Sequence, residues 1–115
     1  MQYMLLIHSN EVAMQSMPQD AIARMHTAYM AYTEALTQAG VVVNGNRLRP
    51  TSATTTVRVA DGKTQVLDGP YAETKEQLAG YYLIDVPDLD AALAWAARCP
   101  GASHGTIEVR PVWSM

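Results

Sequence analysis

The sequence is poor in cysteine, in charge and in long apolar runs. Its single cysteine, Cys99, excludes an internal disulfide. With no CxxC pair and no Cys/His cluster, no metal centre is expected. Charged residues make up 17% of the chain, and the formal net charge is −3. Clustered Lys and Arg of the kind that neutralise phosphates are missing, so nucleic acid is not an expected partner. The apolar run at the start, QYMLLIH at 2–8, has no basic segment before it and is too short for a signal peptide or a membrane span. No membrane association is expected, and the location expected is cytoplasmic. The chain has no Gly-rich phosphate loop, no Ser/His/Asp order, no internal repeat and no low-complexity linker, and no cofactor is expected.

What is present fits one domain over residues 1–115. With 49% hydrophobic residues, a chain of this length can bury one core without disulfides. Residues 2–8 read as a central strand, apolar on both faces. Residues 9–17 are polar and irregular. Pro18 suits the first turn of a helix of about five turns, on which Ile22, Met25, Tyr29, Tyr32 and Leu36 form one apolar stripe. Gly40 ends it. Residues 41–48 form a second strand with a bulge or turn at Asn44–Asn46. The β-branched run at 54–60, then Asp61-Gly62, then 63–67, reads as a hairpin with a two-residue turn. Residues 79–86 and 105–112 are further strands. Asp88 caps a helix to about Arg98, with Leu89, Ala92, Leu93 and Ala96 inward. Without the hairpin, the order is βαββαβ, the ferredoxin-like α+β arrangement with an inserted β-hairpin. Two helices then cover one sheet face. The other remains apolar and needs a second cover, which a second copy would supply, so a homodimer is expected.

The segment DGPYAETKE at 68–76 is denser in titratable groups than a connector requires. Gly69-Pro70 forces a bend, and Asp68 is placed to fix it as an Asx-turn. Glu73 and Glu76 flank Lys75. Exposed ion pairs contribute only about 0–1 kcal/mol, so stability explains their density poorly. An ordered cleft wall explains it better, with the ring of Tyr71 buried as an anchor and the heads of Glu73 and Lys75 directed at a ligand.

This nine-residue stretch resembles the DGPFAETKE signature of the DGPF proteins within the YCII-related family, departing from it only at Tyr71. The resemblance extends to the MQYMLLI start, QLAGYYLIDV at 77–86, ALAWAARCP at 92–100 and IEVRPV at 107–112. It implies a ferredoxin-like fold that dimerises into an α/β barrel, as in muconolactone-isomerase-like proteins. Related proteins of the shorter type carry a first-helix histidine proposed to act with an aspartate. Counting back from Gly40 puts Tyr29 at that position, with His26 one turn earlier. The resemblance also implies a non-catalytic alternative, an accessory or regulatory protein associated with an extracytoplasmic-function sigma factor.

The expected function is binding of a small organic molecule in a cleft beside 68–76, with proton transfer of the isomerase or lyase type as its chemistry. The catalytic candidates are Asp68, Glu73, Lys75 and His26, since a carboxylate beside a lysine in a partly dry cleft can be tuned toward neutral pH. Tyr29, Tyr71, His8 and Arg47 are the ligand-binding candidates: His8 because it ends a strand, Arg47 because it can pair an anionic group.

Overall fold

A computed structural model describes residues 1–114. Strand β1 (Gln2–Ser9) leads into a short helix α1 (Glu11–Gln15) and a long helix α2 (Gln19–Gln38). Strands β2 (Val42–Arg47), β3 (Thr55–Ala60), β4 (Lys63–Asp68) and β5 (Gln77–Asp85) follow, then helix α3 (Leu89–Arg98) and strand β6 (Thr106–Pro111). The main sheet has the order β2-β5-β1-β6, with every neighbouring pair antiparallel. The architecture is α+β, and this strand order is that of a ferredoxin-like sheet once the β3–β4 ribbon is set aside. No helix among the described residues is long and apolar enough to cross a membrane.

Helix α1 was not expected from the polar run at 9–17. Asn10 caps it, its Oδ1 accepting from the Ala13 amide at 3.0 Å, and Glu11 puts negative charge on its first turn. Local capping of this kind produces a turn of helix without any apolar stripe. Pro18 sits at the N-cap of α2 rather than inside it. Gly40, with φ +72°, follows the Ala39 C-cap in the left-handed conformation that glycine tolerates best. Asp88 caps α3 by accepting from the Ala91 amide at 2.9 Å.

The core lies between the helices and one face of the sheet. Tyr3, Leu5 and Ile7 of β1 point into it, with Tyr32, Leu36, Ile84, Val86, Ala92, Ala96 and Cys99. Tyr32 holds the layers together: its hydroxyl donates to the Trp95 carbonyl at 2.7 Å, and its ring meets Tyr82 edge-on at 5.4 Å. The expected inner faces need two corrections. Leu89 and Leu93 of α3 are exposed, as is Ile22 of α2. Only the small residues Ala92 and Ala96 of α3 are fully buried against the sheet, and Ile22 lies near the start of α2, well before the buried Tyr32 and Leu36.

The opposite sheet face carries Met4, Leu6 and His8 of β1 with their cross-strand partners. Met4 faces Leu83 and Arg110, Leu6 faces Tyr81 and Glu108, and His8 faces Thr106. Two bulges adjust this face. β1 and β5 slip between Ile7 and His8, and β2 and β5 slip between Val42 and Asn44.

The β3–β4 ribbon forms a separate two-stranded sheet. Its turn has positive φ at both Asp61 (52°) and Gly62 (73°), the type I′ geometry expected from Asp-Gly. Val57, Val59, Val66 and Leu67 are all exposed on it.

Candidate functional site

The motif segment leaves the ribbon through Gly69, whose φ of +107° only glycine accepts readily. Backbone and hydroxyl contacts fix this bend. The Gly69 amide donates to the Thr54 carbonyl at 2.6 Å, and Thr56 Oγ1 donates to the Gly69 carbonyl at 2.6 Å. Among the described residues the Asp68 carboxylate makes no hydrogen bond to the bend, so the expected Asx-turn does not form. The strand-end backbone already supplies the partner.

Past the bend, Gly69, Pro70, Ala72, Glu73, Thr74 and Gln77 line a groove with Thr51 and Ser52, of about 400 Å³. Its floor is tied down by a polar relay centred on Gln77. Gln77 Oε1 accepts from the Glu11 amide at 2.9 Å, while its Nε2 donates to the Thr74 carbonyl at 2.6 Å. The Glu11 carboxylate in turn accepts from the Thr51 amide and the Thr51 hydroxyl, both at 2.7 Å. Both walls of the groove are thus fastened to the start of α1. Glu76 points elsewhere: its Oε1 accepts from Thr106 Oγ1 on β6 at 2.7 Å.

The structure divides the residues expected to act together. Glu73 lines the groove. Asp68 is the exposed last residue of β4, opposite Thr55, and lies outside the lining. Lys75 is exposed and forms no ion pair with Glu73 or Glu76 among the described residues. Tyr71 is 91% exposed, which overturns the expectation that its ring anchors the segment. The Gln77 relay and the Gly69 contacts do the anchoring, so the loop holds without an apolar plug. His26 is exposed on α2 and is not part of the groove. Arg47 ends β2 opposite Gly80 and is exposed.

Tyr29 packs inside. Its hydroxyl accepts from Cys99 Sγ at 3.8 Å and abuts Gly101, where an added Cβ would sit 2.5 Å from it. Burial pushes the Tyr29 and Tyr32 hydroxyls well above the ordinary tyrosine range, and the nearby Cys99 adds to the effect. Burial raises the Cys99 thiol as well. All three stay protonated at neutral pH, as structural groups do. His8 is placed differently. It stands on the open sheet face with its Nε2 2.5 Å from Glu108 Oε1.

Sequence reasoning missed Glu11, Thr51, Gln77 and Glu108. The Asn10-Glu11 pair, a cap followed by a first-turn acid, is a local signal for the first. The reach of Glu11 to Thr51, 40 residues away, leaves no mark in the pattern. A second groove, of about 660 Å³, runs on the helical side between α2 and the turn after α3. Arg24 on its edge is already paired with Asp20 at 3.1 Å.

A small α+β protein with a ferredoxin-like strand order, an inserted ribbon and a groove built by the segment after that ribbon defines the class. The chain belongs to the YCII-related family: the sequence model of the YCII-related domain matches residues 1–115. It is similar to an uncharacterised protein of Rhizobium meliloti (strain 1021), with 40% identity over 114 residues, covering 97% of this chain and 92% of the relative.

Proposed function

We propose that this protein is a homodimer, an α/β barrel of two packed sheets, that binds a small polar organic molecule in the groove along residues 69–77. The observation that carries the binding reading is the Gln77 relay. A connector has no use for a carboxamide that clamps its backbone to a distant helix and a carboxylate that clamps the facing turn. A binding wall does, because prepositioned groups reduce the ordering cost of association. The groove has the size of a small-ligand site. Its polar groups are the hydroxyls of Thr51, Ser52 and Thr74, the Gln77 carboxamide and the Glu73 carboxylate. With the Glu73 carboxylate as the charged group among the described lining residues, the ligand suited to it is a neutral or cationic hydrogen-bond donor.

Two features support the homodimer. The radius of gyration is 16.1 Å, with extents of 47 × 44 × 19 Å, against about 13 Å for a compact chain of this length. The excess fits a flat molecule with a projecting ribbon. A lone two-stranded ribbon is marginal in water, and this one exposes Val57, Val59, Val66 and Leu67. A second copy related by a two-fold axis covers the ribbon and the open sheet face together. The accessory-protein alternative assigns the same apolar surface to a different chain. Light scattering of the isolated protein at micromolar concentration separates the two: the dimer has twice the monomer mass, and a folded monomer defeats the reading.

Binding is tested by thermal-shift screening of small amines and polyols, followed by calorimetry on variants. Glu73→Gln is expected to abolish binding of the hit while changing stability by less than about 1 kcal/mol, as for an exposed side chain. Lys75→Ala is expected to leave binding intact. Wild-type affinity in Glu73→Gln would remove the groove from the site.

A further inference from the structure

The open sheet face carries a titratable cluster that the groove does not use. His8 and Glu108 are diagonal neighbours there, since Glu108 pairs with Leu6 and His8 pairs with Thr106. His8 Nε2 is buried, has no hydrogen-bond partner among the described residues, and stands 2.5 Å from Glu108 Oε1. Arg110 Nη2 lies 3.8 Å from the other Glu108 oxygen. Glu76, held by Thr106, brings the motif segment to the same corner. Around these groups the face is apolar, with Met4 and Leu6 of β1 and Leu83 of β5. Tyr81 stands beside them, and its hydroxyl accepts from Asn46 Nδ2 at 2.9 Å.

Stability does not explain this arrangement. A partly exposed ion pair contributes about 0–1 kcal/mol, and a sealed ring nitrogen without a hydrogen bond is a cost. The bulge between Ile7 and His8 falls at this residue, and bulges of this kind re-aim side chains next to active sites. The negative charge of a carboxylate this close to one imidazole nitrogen favours the proton on that nitrogen and leaves the other as a base.

We propose that His8 and Glu108 are an acid–base pair that moves a proton on a largely apolar carbonyl compound held against the open sheet face. His8 is the catalytic residue and Glu108 a positioning residue. The lone pair of His8 Nδ1 takes a proton from the carbon next to the carbonyl. The C–H electron pair moves into the C–C bond, and the carbonyl pair moves onto oxygen, giving an enolate. The Tyr81 hydroxyl, which accepts from Asn46 and so keeps its own proton to donate, is the donor on this face for that oxygen. Imidazolium Nε2–H then faces Glu108. In a substrate with a β,γ double bond the enolate is a dienolate, and return of the Nδ1 proton to its γ carbon, with the carbonyl re-forming, restores neutral His8 and completes an isomerisation with no other reactant. The cover that dries this face rests on the homodimer proposed above.

The test uses 5-nitrobenzisoxazole, whose elimination reports a base in an apolar setting. The base takes the ring C–H proton, the electron pair forms a nitrile, and the N–O bond breaks to a coloured phenolate. The full-length protein is expected to exceed free imidazole at equal concentration by about 10²-fold, the lower range for a positioned base. His8→Gln should fall to the imidazole rate, Glu108→Gln should lose about tenfold, and His104→Gln, in an exposed loop, should match wild type. Long-range ¹H–¹⁵N spectra of the wild type should show His8 as the Nε2–H tautomer, becoming a mixture in Glu108→Gln. An active His8→Gln, a wild type no faster than imidazole, or an Nδ1–H tautomer would each overturn the proposal, and the last needs no variant. An unchanged tautomer and rate in Glu108→Gln would remove Glu108 from it. Light scattering on the same samples keeps the readings apart. A monomer with the rate intact sinks the dimer alone, and a dimer without the rate sinks the pair alone.

Discussion

The two faces of strand β1 obey different rules although both look apolar. Tyr3, Leu5 and Ile7 sit in a close-packed layer with α2 and α3, and Leu5 has no exposed surface. Met4, Leu6 and His8, one residue out of phase, stay partly exposed beside Glu108, Arg110 and Tyr81. The burial-shifted tyrosines and the buried thiol all belong to the covered side, while the close His8–Glu108 contact belongs to the open side. Apolar surface in one place makes a core, and in the other it stays partly exposed within the monomer. Charge can be kept on the second because it was never sealed within the monomer.

The comparison is broken most forcefully from the covered side. Leu36 is fully buried, and Leu36→Ala is expected to cost about 2–5 kcal/mol, read from urea denaturation, through lost transfer energy and the cavity left behind. A cost below 1 kcal/mol would mean the helix layer packs loosely. Leu6→Asp attacks the open side. As a test of the proposed homodimer, it should halve the mass seen by light scattering while leaving the helical signal in circular dichroism, because the charge faces water in a lone copy. Loss of the fold itself would show that Leu6 belongs to the core.

A graded effect is expected from alkali. Burial raises the Tyr29, Tyr32 and Tyr82 hydroxyls in the folded protein. Their stabilisation is complete below the ordinary tyrosine value of about 10, where both states are protonated. It declines as pH rises above that value, because the unfolded chain ionises first. The melting temperature should therefore fall steadily above that pH, and a flat profile would place these hydroxyls in water. The smallest change is expected in the ribbon. Gly62→Val puts a β-branched residue at φ +73°, a strain of about 1–2 kcal/mol. Nothing lies within 4 Å of the added Cβ, so the cost stays local. Hydrogen exchange should rise at 55–68 with little shift in the melting of the main sheet, whereas global unfolding would show that the ribbon supports the core.

Much of the frame was legible in the residues. Period-2 and period-3.6 patterns placed the strands and the two long helices, and Asp61-Gly62, Gly40 and Asp88 marked a turn, a helix end and a cap by chemistry local to each. The site was less legible. Glu73 lines a groove; Asp68, Lys75 and Tyr71 were joined to it by proximity in sequence, and His26 by its place one turn before Tyr29 on the first helix. Side-chain direction past a bend depends on a few φ values, and beyond the positive φ at Gly69 the ring of Tyr71 is exposed. His8 was singled out for its place at a strand end, while Glu108, its neighbour in space, lies 100 residues on.

By itself the sequence determined the elements, their order and the double-sided apolarity of β1, because propensity, capping and periodicity act over a few residues. Only the tertiary structure decided which face of that strand the helices cover, that Glu11 clamps Thr51, that Gln77 ties the motif to α1, and that His8 meets Glu108. Those contacts form between chain segments 40 to 100 residues apart. For His8 and Glu108 the partner is chosen by strand register and sheet order, and a one-residue slip in register would send each side chain to the opposite face.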